Sequence, residues 1–140
     1  MSHWTTSYVG LPYALLGRDR RGADCWGLAV LIYAEQLEIA LPHYADGLTS
    51  PEEHAELAAL INDVASVGPW KPAAYPRAFD IAVFRRGREE THVGIVVSPG
   101  LMLHTSADDH SRLEHYGTGR WGNRLAGIYR HVKAASRGLE

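Results

Sequence analysis

The sequence predicts an α+β fold, with N-terminal helices packed on one side of an antiparallel sheet of five strands or so. Two observations carry this expectation. Apolar residues recur at helical spacing in the first half of the chain, whereas from residue 79 onward short alternating or β-branched runs are broken by turn residues. The links between these later runs are short, and short links join neighbouring strands in antiparallel order.

The elements follow in order. Residues 8–23, YVGLPYALLGRDRRGA, are rich in Gly, Pro and charge and read as an ordered loop with one short helical turn. Asp24 is placed as a helix N-cap. Leu28, Leu31, Ile32, Glu35 and Ile39 then fall at helical spacing, so a helix is expected from Cys25 to Ile39, ending before Leu41-Pro42. A second helix is expected over 50–67, with Ser50 as cap, Pro51 at its first position, acids in its first turn and Gly68-Pro69 as its stop. FDIAVFR (79–85) and THVGIVVS (91–98) flank the charged turn RGREE and form a hairpin. LMLHTS (101–106) follows the turn signal Pro99-Gly100, and RLEHY (112–116) and AGIYRHV (126–132) complete the strands.

Bulk properties narrow the function. The 140 residues suit a single domain spanning 1–140. A net charge of −2 argues against nucleic-acid binding by phosphate neutralisation. No apolar run approaches the ~20 residues of a membrane span, so no membrane insertion is expected. MSHWTTSYVG has neither a basic n-region nor an apolar h-region, so the expectation is a protein made in the cytoplasm without a signal peptide. A single cysteine forms no internal disulfide.

That cysteine, Cys25, falls at a predicted helix start. Helix N-termini favour the thiolate, and their outward N–H groups suit an oxyanion formed when the sulfur attacks a carbonyl. The bland alternative is a small buried apolar residue. A nucleophilic thiol needs a base, and two histidines offer themselves. His92 lies six residues before Ser98 and His104 four after Gly100, which sets them near each other at one end of a hairpin. One would serve as base and the other as its orienter. His3, in a terminus expected to be mobile, and His43, His54, His110, His115 and His131 read as surface or structural. HTSADDH lacks regular metal-ligand spacing, so neither a metal nor a cofactor is expected.

Several stretches together resemble the NlpC/P60 family of papain-like cysteine peptidases, which cut bacterial cell-wall peptides. They are GLPYALLG, ADCWGLAVLIY, FDIAVF, THVGIVV and LMLHTS, in the family's order across residues 8–106. Two departures stand out: Trp26 where Ser is common and Phe79 where Gly precedes Asp80. The Trp form, with GRDRRGADCWGL and the closing GRWGNRLAGIYRHV, is similar to a phage tail and gene-transfer-particle subgroup. The resemblance implies Cys25 as nucleophile, His92 as general base, His104 as orienter and Tyr13 near the oxyanion. It leaves Trp26 either lining the substrate groove or packed beneath it. Asp80 is read as structural, bonding nearby backbone N–H groups, and Asp19 and Arg20 as residues of a solvated loop. The implied substrate is the peptidoglycan stem peptide, cut after γ-D-glutamate by a D,L-endopeptidase without cofactor. The implied setting is a virion or phage-like tail tip with other tail-tip proteins as partners. Two alternatives stay open: a non-catalytic tail-tip plug or hub, and an amidase or acyltransferase of the same fold.

Overall fold

The computed structural model describes residues 3–14, 17–41, 69–86, 90–106 and 109–136. The helix expected over 50–67 lies outside these residues, as do His43 and His54.

The N-terminus begins with a 3-10 turn, Trp4–Tyr8, rather than a loose tail. His3 caps it, its Nδ1 accepting the Thr5 N–H at 3.3 Å. The expected loop contains a small hairpin, β1 (Arg18–Asp19) with β2 (Gly22–Ala23). Arg20 ties this hairpin to the rest, donating to the Ser7 carbonyl at 2.7 Å and to Glu35 Oε1 at 2.7 Å. The guanidinium holds the Glu35 carboxyl below its ordinary range.

Helix α1 runs Cys25–Ile32 and continues as a π-helical turn, Tyr33–Leu37, so the single helix expected to Ile39 changes pitch and stops earlier. Glu38 ends it in the left-handed region at φ 56°. Every residue from Trp26 to Ile32 is buried. A helix apolar on all sides is a central helix, not a surface one with a single core stripe.

Among the described residues the sheet has six strands rather than five, all antiparallel, in the order β3 (Trp70–Pro72), β8 (Leu125–His131), β4 (Ile81–Arg86), β5 (Glu90–Ser98), β6 (Leu101–Ser106) and β7 (Asp109–His115). β4 (Ile81–Arg86), β5 (Glu90–Ser98), β6 (Leu101–Ser106) and β7 (Asp109–His115) form a meander. Gly100, at φ +88°, makes the β5–β6 turn. The chain then passes through one helical turn, α2 (Gly119–Gly122), and returns as β8 (Leu125–His131) to pair with β4. Helix α3 (Val132–Ser136) follows. The unexpected strand is β3 (Trp70–Pro72). Its three residues are too few for a pattern, and Pro72 is tolerable because β3 lies at the sheet edge.

Both faces of the sheet are covered. On one, Ile81, Val83, Val93, Ile95, Leu103 and Tyr129 pack with the residues of α1. On the other, Ala82, Phe84, Val96 and Met102 pack with Tyr116 and Trp121. Two covered faces explain why THVGIVVS reads as a β-branched run instead of a clean alternation. Gly94 permits the second layer: a Cβ there would stand 2.5 Å from Met102 Sδ.

Two features brace the start of β4. Phe79 adopts φ +73°, a conformation that glycine occupies at little cost. It is held there by its N–H bond to Val96 O at 2.8 Å, by the Tyr33 hydroxyl donating to its carbonyl, and by stacking on Trp4 at 4.5 Å. Asp80, 1% exposed, accepts from Arg130 Nε at 2.9 Å and Nη2 at 2.8 Å, and from the Arg77 N–H at 2.9 Å. The structural reading of Asp80 thus holds, with Arg130 as an added partner.

His131 is buried against Trp70 and Tyr33, and its Nδ1 accepts the Lys133 N–H at 3.1 Å. Burial, with a lesser contribution from Lys133, pushes its pKa down to about 4 from 6.5. The folded protein therefore binds fewer protons than the unfolded chain between these values, and stability falls as the pH drops from 6.5 toward 4. Urea midpoints measured across this range are expected to decline. In His131→Asn, whose amide oxygen can still accept the Lys133 N–H, the decline should be shallower. An unchanged slope would remove His131 as its source.

Candidate active site

Cys25 is the first residue of α1 and half-buried. Asp24 caps the helix in extended conformation, its Oδ1 accepting the Gly27 N–H at 2.8 Å. This is the expected cap, and it starts the helix at the thiol. α1 packs against β5 and β6, the strands that carry the two candidate histidines.

His92 and His104 meet. His92 Nε2 lies 2.7 Å from His104 Nδ1, with the ring planes at 81°. The sheet register explains this. Ile95 pairs with Leu103 in antiparallel register, so His92, three residues before Ile95, and His104, one residue after Leu103, lie toward the same end of the strand pair. Alternation turns both rings toward Phe84, Met102 and Trp121, while Val93, Ile95 and Leu103 face α1. The rings are almost fully withdrawn from solvent, at 3% and 0% exposure.

Two residues that the sequence reading did not single out complete the arrangement. Trp121, on α2, stacks on His92 at 4.7 Å and 20° and presents itself edge-on to His104 at 5.3 Å. It walls the imidazole pair off from water, and a hydrogen bond in such surroundings is electrostatically stronger than in water. Glu114, on β7, places Oε1 at 2.8 Å from His104 Nε2. Arg112, two residues earlier on the strand, has Nη2 at 3.5 Å from the same carboxylate oxygen. The signal for Glu114 was present in RLEHY, which pairs with LMLHTS so that Met102 faces Glu114 and His104 faces Arg112. Trp121 had no such signal, since it arrives through a turn between strands.

The remaining candidates separate. Tyr13 is half-buried in the segment before β1. Trp26 is 7% exposed, belongs to the core that includes the rest of α1 and packs edge-on to Trp70 at 6.5 Å. Asp19 bonds Arg21 at the surface, through the Arg21 N–H at 2.9 Å and Nη2 at 3.1 Å. Arg20 is committed to Ser7 and Glu35. His110 and His115 are exposed. Among the described residues no group of three or more His, Cys, Asp or Glu is arranged to hold a metal ion, and no helix is long and apolar enough to cross a membrane.

The sequence model of the NlpC/P60 family matches residues 10–130. No curated protein matches the chain. Among solved structures, the NlpC/p60 domain of peptidoglycan hydrolase SagA is similar at 20% identity and a TM-score of 0.57, covering 89% of this chain and 90% of that one. An NlpC/P60 family protein from Bacillus cereus ATCC 10987 is similar at 21% identity and a TM-score of 0.64, covering 89% of this chain. A lipoprotein-like NLP/P60 family protein from Staphylococcus aureus is similar at 20% identity and a TM-score of 0.61, covering 90% of this chain. The chain spans only 37% and 38% of those last two proteins.

Proposed function

Since the chain belongs to the NlpC/P60 family, we propose that it is a cysteine peptidase that hydrolyses amide bonds in the stem peptides of bacterial peptidoglycan. The observation that carries the proposal is the buried His92–His104 pair at 2.7 Å, on strands packed by a helix whose first residue is the only cysteine. A similar fold serves a domain of a peptidoglycan hydrolase, which supports the substrate class.

The chemistry follows from the ring nitrogens. His104 engages Nε2 of His92, so Nδ1 of His92 is the atom that takes the Cys25 proton. The thiolate attacks the amide carbonyl carbon. The resulting oxyanion is held by first-turn N–H groups of α1, with the Tyr13 hydroxyl as a further donor. The imidazolium passes its proton to the leaving nitrogen as the C–N bond breaks, leaving a thioester on Cys25. Water, giving a proton to Nδ1, attacks the thioester, and the collapsing intermediate returns the thiol and releases a carboxylic acid. The reading requires the tip of α1 to bring the sulfur to Nδ1 of His92.

Within this reading the residues 1–140 act as one catalytic domain. The bond cut is the one after γ-D-glutamate, and the working place is the tail tip of a phage or phage-like particle among other tail proteins. The support for that setting is the sequence resemblance at Trp26 and in GRWGNRLAGIYRHV.

Incubation with purified walls of several chemotypes, followed by mass spectrometry of released fragments, tests the proposal. Fragments ending in γ-D-glutamate are expected. Walls left intact by protein whose Cys25 is alkylated readily below pH 8 would contradict the hydrolase reading and favour a tail-tip plug. Fragments cut elsewhere would reassign the bond.

A further inference from the structure

Beyond Cys25, His92 and His104, we infer that Glu114 is a positioning residue that fixes the tautomers of both histidines, so that Nδ1 of His92 is a proton acceptor in the resting protein. The inference takes its catalytic meaning from the proposed function, but its structural content is independent of it. An ionised carboxylate only accepts hydrogen bonds. Glu114 Oε1, 2.8 Å from His104 Nε2, therefore requires the proton of a neutral His104 to sit on Nε2. Its Nδ1 is then an acceptor. His92 Nε2, 2.7 Å away, must donate to it, and a neutral His92 that donates from Nε2 carries its lone pair on Nδ1.

Without the carboxylate the same three atoms permit the opposite polarity, in which His104 donates from Nδ1 and His92 carries its proton on Nδ1. That form cannot accept the thiol proton. Burial makes the choice consequential, because neither ring can exchange its partner for water. The carboxylate is itself held. Its side chain is 29% exposed, and Arg112 lies beside the oxygen that His104 uses. Arg112 also donates to the His110 carbonyl at 3.2 Å and to Ser106 Oγ at 3.3 Å, which anchors it across the β6–β7 edge. Arginine keeps its charge at any working pH, so a cation stands beside the carboxylate throughout.

Glu114→Gln separates this role from packing. Glutamine has nearly the same shape, and its amide can accept or donate, so it permits both polarities. Nitrogen-15 NMR of selectively labelled histidines in the full chain reads the tautomers without substrate. Wild type is expected to show His92 and His104 protonated at Nε2 with pyridine-like Nδ1. Glu114→Gln is expected to move both rings toward a mixture, and Glu114→Asp to retain the wild-type pattern. Tautomers unchanged in Glu114→Gln would overturn the inference. In wall hydrolysis, kcat is expected to fall at least ~10-fold in Glu114→Gln with KM little changed, by analogy with other groups that orient a catalytic histidine. If wild type cuts no wall while the tautomers still respond to Glu114, the proposed function fails and the positioning role stands.

Discussion

Cys25→Ala is expected to abolish wall hydrolysis while leaving the fold intact. The sulfur is the only atom in the proposed mechanism that forms a bond to the substrate. Without it the His92–His104 pair can only activate water against an unactivated amide, and rates should fall at least ~10³-fold, with ~10⁶-fold as the scale for loss of a nucleophile in well-characterised hydrolases. The fold should survive, because Cys25 is half-buried and the helix start is secured by the Asp24 cap and by the buried residues from Trp26 to Ile32. Circular dichroism and the urea midpoint check the fold, and muropeptide release checks the rate. Turnover persisting in folded Cys25→Ala would show that the thiol is not the nucleophile. Because Cys25 is the only cysteine, iodoacetamide reports on its thiolate alone. Alkylation in wild type should proceed well below pH 8 and should lose that acid limb in His92→Ala. Equal profiles would separate the sulfur from the imidazole and remove the spatial basis of the mechanism.

Asp80→Ala is expected to carry the largest stability loss, about 3–5 kcal/mol. The substitution strips a carboxylate that is 1% exposed from a two-point contact with Arg130 and from the Arg77 N–H. It leaves the Arg130 guanidinium, whose side chain is 22% exposed, without its counter-ion. Against a total stability of about 5–15 kcal/mol for a domain this is a large fraction. The effect reaches the sheet centre. The Asp80 carbonyl accepts the Val96 N–H at 2.8 Å, and the same residue leads into β4, which joins β5 to β8. Chemical denaturation of Asp80→Ala, Arg130→Ala and the double variant measures the pair. Strong coupling is expected, with the double variant losing much less than the sum of the two singles. Additive losses, or a single loss below about 1 kcal/mol, would demote the clamp to an ordinary surface ion pair.

The helix at Cys25, the Asp24 cap and the five strands β4 to β8 follow from local chemistry: an N-cap residue, an apolar run, a Pro-Gly turn and β-branched stretches each act over a few neighbouring positions. The His92–His104 meeting was legible for the same reason, since both residues lie within one hairpin and its turn sets their separation. Membership of this family was readable from motifs in order, because each motif is itself local. Where residues far apart in sequence had to meet, the pattern of one stretch held no information. β3 became a strand only because β8 offered it a partner. The π turn over Tyr33–Leu37 formed where the Tyr33 hydroxyl reaches the Phe79 carbonyl. Asp80 found Arg130 fifty residues away. Trp121 and Glu114 reached the histidines through a crossing connection and a neighbouring strand. By itself the sequence determined the family and the hairpin that brings His92 and His104 together. Only the tertiary structure decided what closes around those rings, because Trp121 arrives from a helical turn beyond the hairpin and Glu114 reaches His104 only in the register that β7 takes beside β6.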